Sequence, residues 1–209
     1  MTEPVQKDPL RNAVGSACHR LQDGYFAQQS SPHYHTARAN LAELRRGAGL
    51  SIEKNPLGLE QMLFAMDLQI DERLLGRGDA PSPSERAAYT ALTLFAIHMQ
   101  SASQPVHQPN IGFATACGRL SASKDSASIK PRFDAMLLAT SEQARRIHIR
   151  SLVTLLRAEN IGFDYGLFAR DLRNLADPKK RAGVQLRWGR DFAAGYYRTS
   201  TSPSESQEN

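Results

Sequence analysis

Asp177-Pro178-Lys-Lys-Arg-Ala-Gly-Val184-Gln-Leu-Arg187-Trp188-Gly-Arg-Asp-Phe192-Ala-Ala-Gly-Tyr196-Tyr-Arg198 carries the clearest structural signal in the chain. Asp followed by Pro is a helix start: the carboxylate accepts from the first free N–H groups, and the fixed φ of proline suits the first turn. Beyond it Val184, Trp188, Phe192 and Tyr196 recur every four residues, which keeps them on one side of an α-helix. Lys180, Arg187 and Arg198 repeat at 7 and 11, with Lys179, Arg181 and Arg190 alongside. The stretch predicts a long amphipathic helix with its rings turned inward and its cations outward.

The same period runs upstream. Asp164 opens a helix through Leu167, Phe168, Asp171, Leu172 and Leu175. Ser141 caps another, with Glu142 in its first turn and Ile147, Leu152, Leu155 and Leu156 along one side, ending near Asn160-Ile161-Gly162. Ser84 reads as the cap of a largely buried run through Ala88, Ala91, Leu92, Phe95 and Met99, and Asn55-Pro56 opens a helix carrying Leu63, Met66, Asp67 and Ile70. Gly76 to Pro83, Ser101 to Asn110 and Ser121 to Ser128 are small, polar and rich in Pro, Gly or Ser, so they read as loops. Met1 to Pro9 and Thr199 to Asn209 read as frayed ends. No segment alternates with period two. The expected fold is all-α, in two packed helical bundles: an N-terminal one over 10–100, a basic C-terminal one over 111–198, and a disordered tail over 199–209.

The 209 residues are 41% hydrophobic and 22% charged, which excludes a mostly disordered or collagen-like chain. Cys18 and Cys117 are too few for a disulfide framework, and a reducing, cytoplasmic setting is expected. No secretory leader is evident, and the uncharged run Ala87 to Ile97, at 11 residues, is too short to span a membrane. The formal charge of +5 is unevenly placed. Residues 1–129 hold 12 basic and 12 acidic side chains, residues 130–198 hold 14 and 7, and the tail adds only Glu205 and Glu208. Concentrated positive charge, most of it arginine, points to a polyanionic partner, nucleic acid before membrane.

Catalytic motifs are missing: there is no G-x-S-x-G, H-E-x-x-H, C-x-x-C or phosphate-binding glycine loop. His33 and His35 fall in a Ser/Pro segment, while His98 and His148 have no Cys or second His one turn away, so no metal is expected. Cys18 and His19 are neighbours on a helix and point about 100° apart, which makes Cys18 a small core residue rather than a nucleophile. Arg77-Gly78-Asp79 is a chance match to an adhesion tripeptide. Asp134, Glu142, Asp164, Asp171, Asp177 and Asp191 are spread over helix starts and surfaces instead of forming a metal-binding pair. Neither an enzyme nor a cofactor is expected.

Arg146, Arg150 and Arg157, with Arg145 adjacent, return to within about 40° of one another around their helix, opposite the Ile147 side. Cations outside and rings inside argue for gripping a sugar-phosphate backbone rather than stacking on bases. A solvated basic face and a protein-binding face predict the same charges.

The words Thr90-Ala-Leu-Thr-Leu-Phe-Ala-Ile-His98-Met-Gln100, Asn110-Ile-Gly112, Ser128-Ile-Lys-Pro-Arg132-Phe133, Ile149-Arg150-Ser-Leu-Val-Thr-Leu-Leu156, Phe163-Asp164-Tyr165, Leu167-Phe-Ala-Arg-Asp171-Leu172 and Arg187-Trp188-Gly-Arg-Asp-Phe192 stand in an order that resembles the CasB family, the small subunit of the type I-E CRISPR Cascade complex. Ala37-Arg38-Ala-Asn-Leu41-Ala-Glu-Leu44-Arg45-Arg46-Gly47 is similar to that family's arginine-bearing second helix. The resemblance covers most of residues 37–198. It implies a non-catalytic, all-α protein that packs as a pair with a second copy of itself among the other Cascade subunits. There it helps hold guide RNA on target DNA and cradles the displaced non-target strand. Carried onto this chain, it implies nucleic-acid contacts at Arg38, Arg132, Arg150 and Lys179-Lys180-Arg181, with Arg45, Arg46, Arg145, Arg146 and Arg187 behind them. Two alternatives belong to other classes. A free-standing helical DNA-binding regulator would need base-reading side chains at a helix start, where this chain has Glu142, Asp164 or Pro178. A pure assembly protein would meet an acidic protein partner.

Overall fold

The computed structural model describes residues 8–67, 71–124 and 128–201. Among these are nine α-helices and no β-strand: α1 Pro9–Phe26, α2 Pro32–Gly47, α3 Pro56–Ala65, α4 Pro83–His98, α5 Phe113–Lys124, α6 Ile129–Leu138, α7 Glu142–Ala158, α8 Tyr165–Ala176 and α9 Pro178–Ser200. Five of them begin with one device, a capping side chain followed by proline: Asp8-Pro9, Ser31-Pro32, Asn55-Pro56, Ser82-Pro83 and Asp177-Pro178. The all-α expectation holds.

Several boundaries differ from the sequence reading. The cap of α4 is Ser82, not Ser84: its hydroxyl accepts from Glu85 N while the Glu85 carboxylate accepts from Ser82 N, a reciprocal capping box, and Ser84 is buried inside the helix. Ser121 to Lys124 continue α5 instead of opening a loop, and Thr199 and Ser200 complete α9. The α3 helix stops at Ala65, with Met66 as its cap and Asp67 in the left-handed region at φ 53°, so neither extends it; Ile70 lies outside the described residues, as do Met1 to Lys7 and the tail from Ser202.

The elements interlock through close backbone approach at glycine. A Cβ placed on Gly118 of α5 would sit 2.1 Å from the Phe192 carbonyl oxygen of α9, and one on Gly195 would sit 2.3 Å from that of Thr115. At the α1–α8 crossing, a Cβ on Gly166 would lie 2.3 Å from the Arg11 carbonyl oxygen. The buried apolar side chains form one continuous cluster drawn from all nine helices. At its centre Phe113, Phe163, Tyr165, Phe168 and Trp188 meet ring to ring, from 4.2 Å for Phe163–Tyr165 to 6.4 Å for Phe168–Trp188.

The segment between α4 and α5 is pinned, not loose. Gln22 Oε1 accepts from Val106 N and His107 N, both at 2.8 Å, and the His107 ring accepts from Tyr165 N at 3.2 Å. Asp164 caps α8 through Leu167 N and also accepts from Asn110 N and Arg11 Nη2, at 2.9, 3.0 and 3.1 Å. This buried network satisfies backbone groups that would otherwise be stranded and ties α1 to α8.

Candidate nucleic-acid interface

The basic C-terminal segment meets the N-terminal helices chiefly through α8, against α1 and α4, and α7 adds a second contact with α4 and the turn leaving α2. Tyr89 of α4 donates to the Gly47 carbonyl and accepts from Asn55 Nδ2, both at 2.9 Å, which fixes the turn leaving α2. That turn lies against α7: Arg146 Nη2 donates to the Leu50 carbonyl at 3.0 Å, and a Cβ on Gly49 would sit 3.6 Å from the Arg150 guanidinium. Between them opens a cleft of about 510 Å³ whose walls include Lys54, Arg146 and Arg150, with Glu53 and Glu142 as the acids. Glu53 is already committed to Arg86, 2.7 Å away, and that guanidinium holds its carboxyl below the usual range. Lys54 was not among the residues the sequence nominated; it lies in a short neutral stretch, and only the turn's docking on α7 brings it here.

The nominated residues separate into two groups. Arg150 and Lys179 are exposed, and among the described residues neither makes an ion pair or a side-chain hydrogen bond. Arg132 of α6 is exposed and donates to Ser151 Oγ at 3.1 Å, which holds its guanidinium on the flank of α7 about 100° around from Arg150, outside the cleft. Arg146 is half-buried with a free rim on the cleft, and Lys180 is exposed, 3.7 Å from Asp177. Such an exposed pair is worth ~0–1 kcal/mol and is readily exchanged for a phosphate. On α2, Arg38 donates to the Tyr34 hydroxyl at 2.6 Å with its guanidinium 5.4 Å from the ring centre, Arg45 is half-buried, and Arg46 pairs with Glu43.

Three cations do structural work instead. Arg145 is 6% exposed, not on an outer stripe: its Nη2 donates to the Ala139 carbonyl at 2.5 Å, closing the α6–α7 turn. Burial, and then the charge of Arg181, lowers its pKa. Arg181 Nε donates to the Leu175 carbonyl at 2.9 Å, at the end of α8. Arg187 Nη2 donates to Asp171 at 2.7 Å. Arg187, expected on the outward side of α9, is therefore balanced by an acid, and Asp171 is not a surface acid. It is 4% exposed and also accepts from Trp188 Nε1 at 2.8 Å.

The inward side of α7 is Arg145, Ile149, Leu152, Val153 and Leu156, while Ile147 is 63% exposed on the cleft wall. Trp188 and Phe192 are core as expected, but Tyr196 is half-buried and Tyr197 stands out in solvent, so rings and cations are not fully segregated. Cys18 and Cys117 are buried free thiols, their pKa values raised by burial. Among the described residues no group of His, Cys, Asp and Glu is placed to hold a metal ion, and no helix is long and apolar enough to cross a membrane.

A family model described as CRISPR-associated protein Cse2 matches residues 40–192. The chain belongs to this CRISPR-associated Cse2 family. The crystal structure of CasB from Thermobifida fusca is similar over 89% of this chain and 98% of its own, at 30% identity and a TM-score of 0.69. A Cse2-family protein from Thermus thermophilus shares the fold at 23% identity and a TM-score of 0.61, over 90% of this chain and 97% of that one. A chain in a structure described as a CRISPR RNA-guided surveillance complex shares it at 21% identity and a TM-score of 0.61, over 91% and 95%. No curated protein matches. The residues matched to the Cse2 family include Lys54, Arg132, Arg146 and Arg150, and Arg38 lies just ahead of them.

Proposed function

We propose that this Cse2-family chain is the non-catalytic small subunit of a type I-E CRISPR Cascade surveillance complex. It binds nucleic-acid backbone without reading sequence, and so stabilises the R-loop of guide RNA on target DNA and the displaced non-target strand. Opening a duplex against a guide is a nearly balanced exchange, and cations on the freed strand tip it. One observation carries the reading: Lys54, Arg146 and Arg150 line one cleft between the α2–α3 turn and α7, and Arg150 has no structural bond to give up. Lys179 and Lys180 add two exposed charges at the start of α9. The other Cascade subunits, a second copy of this chain and a cytoplasmic setting complete the proposal.

The test uses the isolated chain and the reconstituted complex. Five cations on phosphate, at ~0.7 each for a single strand, give a log–log salt slope of about −3.5, or roughly a 10²-fold loss of affinity between about 50 and 200 mM salt. Replacing Arg150, Lys179 and Lys180 together by Ala flattens that slope by ~2 while leaving thermal stability and assembly intact. Equal affinity at both salts overturns the proposal. Failed assembly with unchanged nucleic-acid binding favours the pure assembly protein instead.

A further inference from the structure

We infer that Tyr197 is a stacking platform for an unpaired base, at one end of a second, straight track for single-stranded nucleic acid along the outer face of α9. The inference rests on the backbone-binding reading above and adds to it a contact that charge alone does not provide.

The face is defined by helix geometry. At 100° per residue Lys179, Ala182, Arg190, Ala193 and Tyr197 all fall within about 40° of Leu186, and each is exposed. The core side chains Val184, Trp188 and Phe192 point the other way. At 1.5 Å per residue the line from Lys179 to Tyr197 is about 27 Å long. It carries two cations and no carboxylate, since Asp177 is spent on the helix start and half-buried Asp191 lies about 140° around the helix.

Tyr197 is presented rather than packed. It is 66% exposed, and its neighbours one turn away in either direction, Ala193, Ala194, Ser200 and Thr201, are all small, so no side chain on the helix covers the ring. Half-buried Tyr196 meets it edge-on, 5.6 Å between centres at 86°, which steadies the ring while leaving its faces open. An accessible π-face in line with unpaired cations, Arg190 two turns away and Lys179 at the far end, suits sequence-tolerant single-strand binding, because every base offers a π-face of its own. A protein partner would want a continuous apolar ridge. Here Ala182, Ala193 and the open positions Gly183 and Gly189, where a Cβ would meet nothing within 4 Å, leave Leu186 and Tyr197 isolated from each other.

The test measures binding of the full chain to oligothymidine and to a duplex of equal length over a range of salt. Wild type prefers the single strand. Tyr197→Ala lowers single-strand affinity roughly 5- to 150-fold, leaving duplex binding, the salt slope and the melting temperature as they were. Tyr197→Phe retains the affinity, since the ring and not the hydroxyl stacks. Arg190→Ala, by contrast, reduces the slope by ~0.7. Unchanged single-strand affinity in Tyr197→Ala overturns the inference while the backbone reading stands. So does a variant that binds the strand normally but loses another subunit, which would make this face a protein-docking surface. Absence of salt-dependent binding in wild type would instead remove the backbone reading, and this inference with it.

Discussion

Replacing Asp171 by Ala tests how the C-terminal helices hold together. One carboxylate oxygen accepts from Trp188 Nε1 at 2.8 Å, and the other accepts from Arg187 Nη2 at 2.7 Å and Arg170 Nη2 at 2.9 Å. Trp188 is 1% exposed, so losing the carboxylate strands its N–H away from water, at a cost of ~1–3 kcal/mol. Arg187 and Arg170 have side chains 40% and 27% exposed and can turn to solvent, which limits their share to ~1 kcal/mol. The loss is then about 2–4 kcal/mol, or about 4–16 °C in Tm for a chain of this size, read by far-ultraviolet circular dichroism on heating. Asp171→Asn keeps a carbonyl that can serve the indole and should lose only ~1 kcal/mol. Adding Trp188→Phe to Asp171→Ala removes the stranded donor, so the two changes should couple by at least ~1 kcal/mol in a double-mutant cycle. A Tm for Asp171→Ala within a degree of wild type, or an Asn variant as unstable as the Ala one, would refute the account.

Two further predictions concern packing and pH. Gly118→Ala brings a Cβ within 2.1 Å of a backbone oxygen that cannot swing aside, so α5 and α9 must part, at ~1–3 kcal/mol; Gly183→Ala, in open space on the same α9, should gain ~0.5–1 kcal/mol, and the two Tm shifts should have opposite sign. Burial, and then the charge of Arg157, pushes His98 down to about 4 from its ordinary 6.5. Between those values the unfolded chain binds a proton that the folded one refuses, so the His98 contribution is complete above about 6.5 and falls by ~3 kcal/mol as pH drops towards 4, and His107, whose pKa burial also lowers, acts in the same direction. His98→Asn should flatten that part of the stability–pH profile in urea titrations; an unchanged profile would contradict the assignment.

The helices were legible because their signals are local. Asn55-Pro56 and Asp177-Pro178 announce themselves in two residues, and Asp8-Pro9, Ser31-Pro32 and Ser82-Pro83 use the same signal where the sequence reading passed over it. Ser82 rather than Ser84 caps α4 because Pro83 takes the first helical position and Glu85 then stands where it completes the capping box. The direction of α7 was not legible, since Arg145 and Ile147 exchange their expected places. A long arginine can bury its stem and still reach the Ala139 carbonyl, whereas Ile147 stands on the wall of an open cleft and stays exposed. Nor does charge counting separate solvent-facing cations from structural ones. Arg181 and Arg187 look like Lys179 and Lys180 in sequence, and only three-dimensional neighbours, the Leu175 carbonyl and Asp171, distinguish them.

That separation has an energetic consequence for binding. A cation already bonded to buried acceptors must break those bonds before it meets a phosphate, so Arg145 and Arg187 would return little of what the contact yields. Arg150 and Lys179 start from water and lose only side-chain freedom, ~0.5–1.5 kcal/mol for an immobilised long side chain. Arg132 and Arg146 lie between these cases: each is held by one neutral hydrogen bond, to Ser151 Oγ at 3.1 Å and to the Leu50 carbonyl at 3.0 Å, which orients the guanidinium without neutralising it. The Arg146 bond also joins α7 to a turn fixed on α4 by Tyr89, so the cleft cations belong to one packed unit and their spacing is set by the fold. On the proposed function, a preset group of a few cations would bind a strand with less ordering cost than a larger number on mobile loops would incur, and structural arginines such as Arg145 would act by holding the group in place.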